Sequence, residues 1–299
     1  MTKKAKPESS KLKETNSSKL SAGKTDSGIK DSKTKKKTLK DLSFAHLLPN
    51  LATVAGLCTG LSSIRFAMMD RYEEAVIAII IAAILDGVDG RIARLLKASS
   101  DFGAELDSLS DFICFGVGPA VVVYMLTLNT IGGFGWAITL FFSVCMALRL
   151  ARFNAMNIKE QREAFQNADD KVKESPIMMA GKNKFFVGTP APSAAFISLL
   201  PLMIHFAFQV DWVLNPVLYS FIMLGSGFLM ISRIPTYSFK SARIPRSWAL
   251  ASLVIATLMI GLIITAPWHF ACAIVVSYIA LIPFSYRDFK KLRESTAQA

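Results

Sequence analysis

Long apolar stretches alternate with short polar connections from about residue 49 to residue 285. Each stretch runs for roughly 18 to 25 residues, which is enough for a helix to cross a hydrocarbon core of about 30 Å. In lipid the backbone polar groups must be satisfied within the segment, so helices are expected. The pattern predicts an all-α, polytopic helical membrane protein with about eight spans, near residues 49–68, 73–96, 102–127, 134–153, 190–208, 216–233, 247–266 and 268–285.

The composition agrees with this class. Hydrophobic residues make up 52% of the chain and charged residues only 19%, against about a quarter in ordinary soluble domains. The net charge of +12 is unevenly placed, since 13 of the 34 Lys and Arg residues lie in residues 1–47. Further basic clusters at 233–246 and 287–293 alternate with connections that carry few of them, which is the positive-inside pattern. This distribution favours an anionic lipid surface as partner and argues against nucleic acid.

The same pattern divides the chain into three parts. Residues 1–38 are rich in Lys, Ser and Thr and predict a disordered, basic cytoplasmic tail. Residues 39–285 predict the membrane-embedded domain, which starts with a short interfacial helix over 39–48. Residues 286–299 predict a cytoplasmic C-terminal tail. With both termini inside, the expected location is a bacterial inner membrane, and the longest connection, near 154–189, is cytoplasmic.

Four carboxylates stand in two consecutive spans, where ionisable side chains are costly and are functional candidates by default. Asp86 and Asp89 share a face of one helix, and Asp107 and Asp111 share a face of the next, because these positions are three or four apart. A short turn between the spans makes the helices antiparallel neighbours, so the two faces can meet. The same faces carry Gly90, Ala93, Arg94 and Gly103.

Four carboxylates that converge in a medium of low dielectric need compensating positive charge. Arg94 alone supplies too little. A hard divalent cation with oxygen ligands is the natural solution, which indicates Mg²⁺ or Mn²⁺. Two ions are expected, because a pair of metals can clamp both oxygens of a phosphoryl displacement. A cation site in a transporter and a catalytically silent scaffold remain as alternatives.

The spacing D-x-x-D-G-x-x-A-R-x8-G-x3-D-x3-D resembles the signature of the CDP-alcohol phosphatidyltransferase family at eight specified positions. The resemblance implies a six-helix core within the predicted spans. It also implies that the four aspartates are metal ligands and that Asp111 is in addition the general base. The residues that it implies at the CDP site are Asn50 and Thr53 at the start of the first span, together with Gly90, Ala93, Arg94 and Gly103.

The signature points to CDP-diacylglycerol as donor and leaves the acceptor alcohol open. Segments near 102–111, 115–119, 148–154, 188–192 and 232–240 resemble the members of the family that use L-serine. A phosphorylated acceptor, such as glycerol 3-phosphate or inositol phosphate, and choline remain as alternatives. The resemblance also implies a homodimer.

Two arginines near the end of the fourth span are candidates for the serine carboxylate. Arg149 and Arg152 are three residues apart, and a guanidinium group binds carboxylates with fixed bidentate geometry. The alternative is that they only anchor the span at the membrane surface. We therefore expect at least one of the two to bind the carboxylate.

Overall fold

The computed structural model describes residues 39–96, 100–166, 185–232, 235–237 and 249–297. The predicted tail over residues 1–38 lies outside this range, as does the middle of the 154–189 connection. The helices are α1 (Leu39–Met68), α2 (Tyr72–Leu96), α3 (Asp101–Asp111), α4 (Gly118–Leu126), α5 (Gly133–Gln166), α6 (Ala191–Phe208), α7 (Pro216–Ile231), α8 (Ala249–Thr265) and α9 (Pro267–Ala297), with strands β1 (Phe185–Val187) and β2 (Pro235–Tyr237).

The predicted class is confirmed, and each of the eight predicted spans falls on a helical segment. Two of the segments, α7 and the Ala251–Thr265 part of α8, are shorter apolar helices. The second predicted span, α2, carries six charged residues, which lower its hydropathy. Five segments in the described part of the chain are long and apolar enough to cross a membrane: Leu47–Met68, Phe102–Leu126, Gly133–Met156, Ala191–Phe208 and Pro267–Ser285.

Several helices run further than the hydropathy pattern predicted. The expected interfacial segment over 39–48 is continuous with the first span, so α1 is one helix with Pro49 inside it. Helix α5 extends to Gln166, into the predicted connection, and α9 extends to Ala297, into the predicted tail. The α5 extension is rich in Ala, Met, Lys, Glu, Gln and Arg, which all favour helix, so nothing local ends the helix at the membrane surface.

The third span is irregular in its middle. A π-helical segment, Phe112–Val117, joins α3 to α4 directly after Asp111. Small residues let the neighbouring helices approach this segment closely. A Cβ on Gly60 of α1 would collide with the Cys114 side chain, and a Cβ on Gly116 would lie 2.9 Å from Cγ of Met146 in α5. The π-helical segment is therefore held between α1 and α5.

A short two-stranded ribbon, which the all-α prediction did not include, joins the two polar connections. β1 pairs with β2 in antiparallel register, with Phe186 opposite Thr236. Gly188 follows β1 with φ of +84°, and a Cβ there would lie 3.2 Å from the Met230 carbonyl oxygen at the end of α7. This turn needs glycine, because L side chains rarely adopt positive φ. The ribbon brings the start of α6 beside the end of α7.

The interior is built from several helices, and the outside is apolar as well. Fully buried side chains from α2, the π-helical segment, α5, α6 and α7 form one cluster, which includes Ile79, Phe115, Met146, Leu199 and Met223. The outward faces expose large apolar residues, most of all along α8. In water such a surface would be a liability, whereas in a bilayer it faces lipid. The cluster fixes the helices that carry the polar site.

Candidate active site

Three of the four predicted aspartates converge. One carboxylate oxygen from each of Asp86, Asp89 and Asp107 lies within 4.8 Å of the others. The first two project from the same face of α2, and Asp107 projects from α3, whose first turn is capped by the Ser100 hydroxyl, which accepts from the Gly103 backbone N–H at 3.0 Å. Asp89 is 4% exposed. The helical spacing therefore brings three carboxylates together, because the aspartate faces of α2 and α3 meet.

Asp111 lies one helical turn beyond Asp107, at the end of α3. Its carboxyl group is within hydrogen-bonding reach of the Asp86 carboxyl group. It also lines a narrow gap, with no room for a water molecule, together with Thr53, Gly56, Ala82, Asp86, Asp89, Ser110, Cys114 and Phe115. Asp111 thus adjoins the cluster from its inner side.

The three converging carboxylates fit a metal ion. They offer only oxygen ligands, which suit hard divalent cations, and the distances among the oxygens allow a single ion to contact all three. Without a cation, three carboxylates this close in a half-buried site would repel one another. The site can therefore hold a metal ion, with Asp86, Asp89 and Asp107 as its ligands.

Thr53 acts on this cluster from α1. Its hydroxyl donates a hydrogen bond of 2.7 Å to Oδ2 of Asp89, and it also lies 3.1 Å from the carbonyl oxygen of Pro49. The Ser110 hydroxyl in turn donates to the Thr53 carbonyl oxygen at 3.4 Å. The contact of Thr53 with the nucleotide stays a prediction; in the structure its hydroxyl orients a candidate metal ligand. Such a contact between distant segments leaves no signal in the sequence.

A cavity of about 140 Å³ opens beside the aspartates. Gly90 lines it, and a Cβ there would meet no protein atom within 4 Å, so this side of the cavity is open to a ligand. Gly103 is tighter, because a Cβ there would lie 2.9 Å from Oδ1 of Asn50. The lining residues are Pro49, Asn50, Thr53, Asp89, Gly90, Ala93, Ser100, Gly103, Ala104 and Asp107. Five of the six residues predicted for the CDP site therefore surround one cavity.

Arg94, the sixth predicted residue, takes a different position. It is exposed, and its Nε donates a hydrogen bond of 2.9 Å to the Gly90 carbonyl oxygen on its own helix. This contact holds the guanidinium group against the backbone of α2 at Gly90, one turn before Arg94. Arg94 therefore contacts Gly90, which lines the cavity, but is not itself among the lining residues.

The two candidate arginines differ in what they contact. Nε of Arg149 donates to the Thr189 carbonyl oxygen at 2.7 Å, and its guanidinium group lies within electrostatic range of the Asp111 carboxylate. Arg152 donates from both terminal nitrogens to the end of α7, to the carbonyl oxygens of Ile231 at 2.8 Å and Met230 at 3.2 Å. Arg149 is therefore bound to the backbone just before α6, and Arg152 satisfies backbone groups that the end of a helix leaves open.

A polar pair that was not among the predicted site residues joins α5 to α3. Nδ2 of Asn154 donates a hydrogen bond of 3.0 Å to the Ser108 hydroxyl, one residue after Asp107. The only sequence signal was the nearness of Asn154 to the arginine pair. Its contact with Ser108 ties the arginine helix to the aspartate helix.

These features define an integral membrane protein in which a carboxylate cluster that can hold a metal ion lies beside a cavity. Residues 46–231 match the profile of the CDP-alcohol phosphatidyltransferase family. The chain belongs to this family, which is a family of transferases.

Named relatives narrow the comparison further. A "CDP-diacylglycerol--serine O-phosphatidyltransferase" of Mycobacterium leprae is 36% identical over 243 residues, which cover 81% of this chain and 75% of the relative. A protein of the same name from Helicobacter pylori is 31% identical over 223 residues, 74% of this chain and 83% of the relative. Another, from Bacillus subtilis, is 30% identical over 195 residues, 65% of this chain and 92% of the relative.

Proposed function

We propose that this protein is a phosphatidylserine synthase, which transfers the phosphatidyl group from CDP-diacylglycerol to the hydroxyl group of L-serine and releases CMP. The relatives of that name support the acceptor. The observation that carries the proposal is the convergence of the Asp86, Asp89 and Asp107 carboxylates beside one cavity. A metal site for the diphosphate and a space for the donor then adjoin each other.

The cavity beside the aspartates is the proposed site of the donor diphosphate. Gly90 supplies a surface without a side chain, so a phosphate group can approach the backbone there. We assign two divalent ions, either Mg²⁺ or Mn²⁺, to the aspartates, because these residues supply only oxygen ligands. When bound, the ions would neutralise the diphosphate and the charge that develops on the departing CMP. The acyl chains of the donor remain in the bilayer.

Asp111 is the proposed general base. It accepts the proton of the serine hydroxyl as that oxygen attacks the phosphorus that carries the diacylglycerol group. The new bond joins the serine oxygen to this phosphorus, the bond from the same phosphorus to the CMP oxygen breaks, and CMP leaves. General-base assistance of this kind contributes roughly 10²–10⁴ in rate. Transfer is direct, without a phosphatidyl-enzyme intermediate, so no covalent lipid adduct should be trapped.

Of the two arginines, Arg149 is the better candidate for the serine carboxylate. One of its nitrogens, Nε, is held by the Thr189 carbonyl group, which orients the terminal nitrogens. Both terminal nitrogens of Arg152 already donate to backbone carbonyl groups of α7. We therefore assign carboxylate binding to Arg149 and a structural role to Arg152.

The basic clusters support a topology in which both termini are cytoplasmic and the protein lies in a bacterial inner membrane. The basic N-terminal segment would then meet the anionic lipid surface. A homodimer is proposed on the family resemblance. Fusion of a reporter to each terminus tests the topology, and the mass of the detergent-solubilised protein tests the dimer.

One assay tests the activity. The purified protein is supplied with CDP-diacylglycerol, Mg²⁺ or Mn²⁺, and a panel of alcohols, and release of CMP is measured. We expect release with L-serine, no release when a chelator is present, and far less with glycerol 3-phosphate, inositol phosphate or choline. If CMP were released with one of these three alcohols and not with serine, serine would be the wrong acceptor, but the protein would still be a CDP-alcohol phosphatidyltransferase. Cation flux without CMP release would favour a transporter instead.

A further inference from the structure

The inward face of α5 carries a polar residue after a run of apolar ones. Phe142, Met146 and Leu150 lie four residues apart on one face of this helix, and they are 0%, 0% and 8% exposed. Asn154 is the next residue on the same face. Its Nδ2 donates a hydrogen bond of 3.0 Å to the Ser108 hydroxyl of α3, so a polar contact with the aspartate helix extends an apolar inward face.

Hydroxyl groups hold α3 on two sides. The helix packs along α1, where the Ser110 hydroxyl donates to a backbone carbonyl oxygen at 3.4 Å. On another side, the Ser108 hydroxyl oxygen also lies 3.3 Å from Oδ1 of Asn154. Successive residues of an α-helix are rotated by about 100°, so Asp107 and Asp111 lie between the two serines around the helix axis. The two contacts therefore oppose rotation of the aspartates in either direction.

We propose that Asn154 is a positioning residue, which sets the direction of the Asp107 carboxylate by holding Ser108. A rotation of α3 would move the Asp107 oxygen away from the oxygens of Asp86 and Asp89, which now lie within 4.8 Å of it. Groups that orient the ligands of a metal ion contribute to its affinity although they do not touch it. This inference rests on the proposed function, because it takes the aspartates as metal ligands.

Loss of the Asn154 side chain should leave the protein folded. The Ser108 hydroxyl also donates to the Ala104 carbonyl oxygen of its own helix at 3.0 Å, so it keeps a partner in Asn154→Ala. The variant therefore removes the link between α5 and α3 without leaving a buried polar group unpaired, which is the costly case.

The test measures the binding of Mn²⁺ itself, by calorimetry on the purified protein in detergent without substrates, and metal activation of CMP release in parallel. Asn154→Ala and Ser108→Ala should each raise Kd for Mn²⁺ by roughly three- to tenfold, the usual contribution of one hydrogen bond between neutral groups. The double variant should bind Mn²⁺ as well as either single variant, because all three lack the same contact.

Two further variants are the controls. Nδ2 of Asn129 donates to the Met125 carbonyl oxygen four residues earlier, at 3.2 Å and on the exposed surface, so Asn129→Ala removes an asparagine of local function and should keep the wild-type Kd. Ser108→Thr keeps the hydroxyl group and should keep most of the Mn²⁺ affinity. The melting temperature of every variant is measured beside its Kd.

An unchanged Kd for Mn²⁺ in Asn154→Ala would overturn the proposal, and a lower melting temperature with that Kd would leave Asn154 a packing role. Additive losses in the double variant would also overturn it, since the two residues would then act separately. A wild-type protein that binds no Mn²⁺ would remove the metal assignment and this inference with it. A wild-type protein that binds Mn²⁺ but does not use serine would overturn the proposed acceptor alone, so the two failures are separated.

Discussion

The Thr53 hydroxyl donates a hydrogen bond of 2.7 Å to Oδ2 of Asp89 across the interface between α1 and α2. The hydroxyl group belongs to one helix and the carboxylate to another, 36 positions further along the chain. Because each ligand of a metal site needs a fixed orientation, a partner of this kind usually contributes to metal affinity. The contact makes α1 part of the site, although it supplies no aspartate.

We expect Thr53→Val to weaken metal activation. Loss of the hydrogen bond to Asp89 should raise the metal concentration for half-maximal CMP release by roughly 10- to 100-fold, and Thr53→Ser should restore most of it. Thr59→Val is the control, because the Thr59 hydroxyl donates only to carbonyl groups of its own helix, including Gly56 at 2.7 Å. Equal metal dependence in Thr53→Val and Thr59→Val would contradict the assignment.

Gly90 and Gly87 form a matched pair for the donor cavity. A Cβ on either residue meets no protein atom within 4 Å, but only Gly90 is among the residues that line the cavity. Gly90→Ala should fill ligand space and raise KM for CDP-diacylglycerol by about tenfold, since overpacking of this kind costs about 1–3 kcal/mol. Gly87→Ala should leave KM unchanged. Steady-state CMP release at varied donor concentration gives both values, and equal effects would remove Gly90 from the donor site.

The proposed roles of Asp107 and Asp111 are separable by their metal dependence. Asp107→Asn removes one of the three converging carboxylates, so we expect a large increase in the metal concentration required. Asp111→Asn removes the proposed base, so kcat should fall by roughly 10²–10⁴ even at saturating metal.

Asp211→Asn is the control for both variants, because its carboxylate is 88% exposed and lies beside His205, away from the cluster. Full recovery of Asp111→Asn at high metal concentration would make Asp111 a ligand only, and the base would have to be another group.

Arg149→Lys and Arg152→Lys should fail in different ways. Lysine keeps the charge but loses the planar fork. In Arg149→Lys we expect KM for serine to rise by about tenfold while KM for CDP-diacylglycerol is unchanged, because one charge-assisted contact is weakened. In Arg152→Lys we expect a lower melting temperature and a near-normal KM for serine, because this substitution removes hydrogen bonds to the end of α7. If Arg152→Lys instead raised KM for serine and Arg149→Lys only lowered the melting temperature, the two arginines would have the opposite roles.

The helices and the faces on which the aspartates lie could be predicted from the sequence alone. Both follow from local periodicity: runs of apolar residues long enough to cross lipid are helical because the backbone has no other partner there, and residues three or four apart share a face whatever surrounds the helix. For this reason the pattern of the sequence was sufficient to predict the helical segments and the convergence of Asp86, Asp89 and Asp107. The eight-position signature added the family.

The contacts between segments that are distant along the chain depend on how the helices pack. Thr53 reaches Asp89 across the interface of α1 and α2, Arg149 binds the Thr189 carbonyl group, and Arg152 binds the end of α7, because helix packing sets the relative positions of these segments. Two arginines three residues apart look alike in sequence. Packing separates them, since a hydrogen bond depends on distance and angle between groups, and those depend on every helix packed around the site.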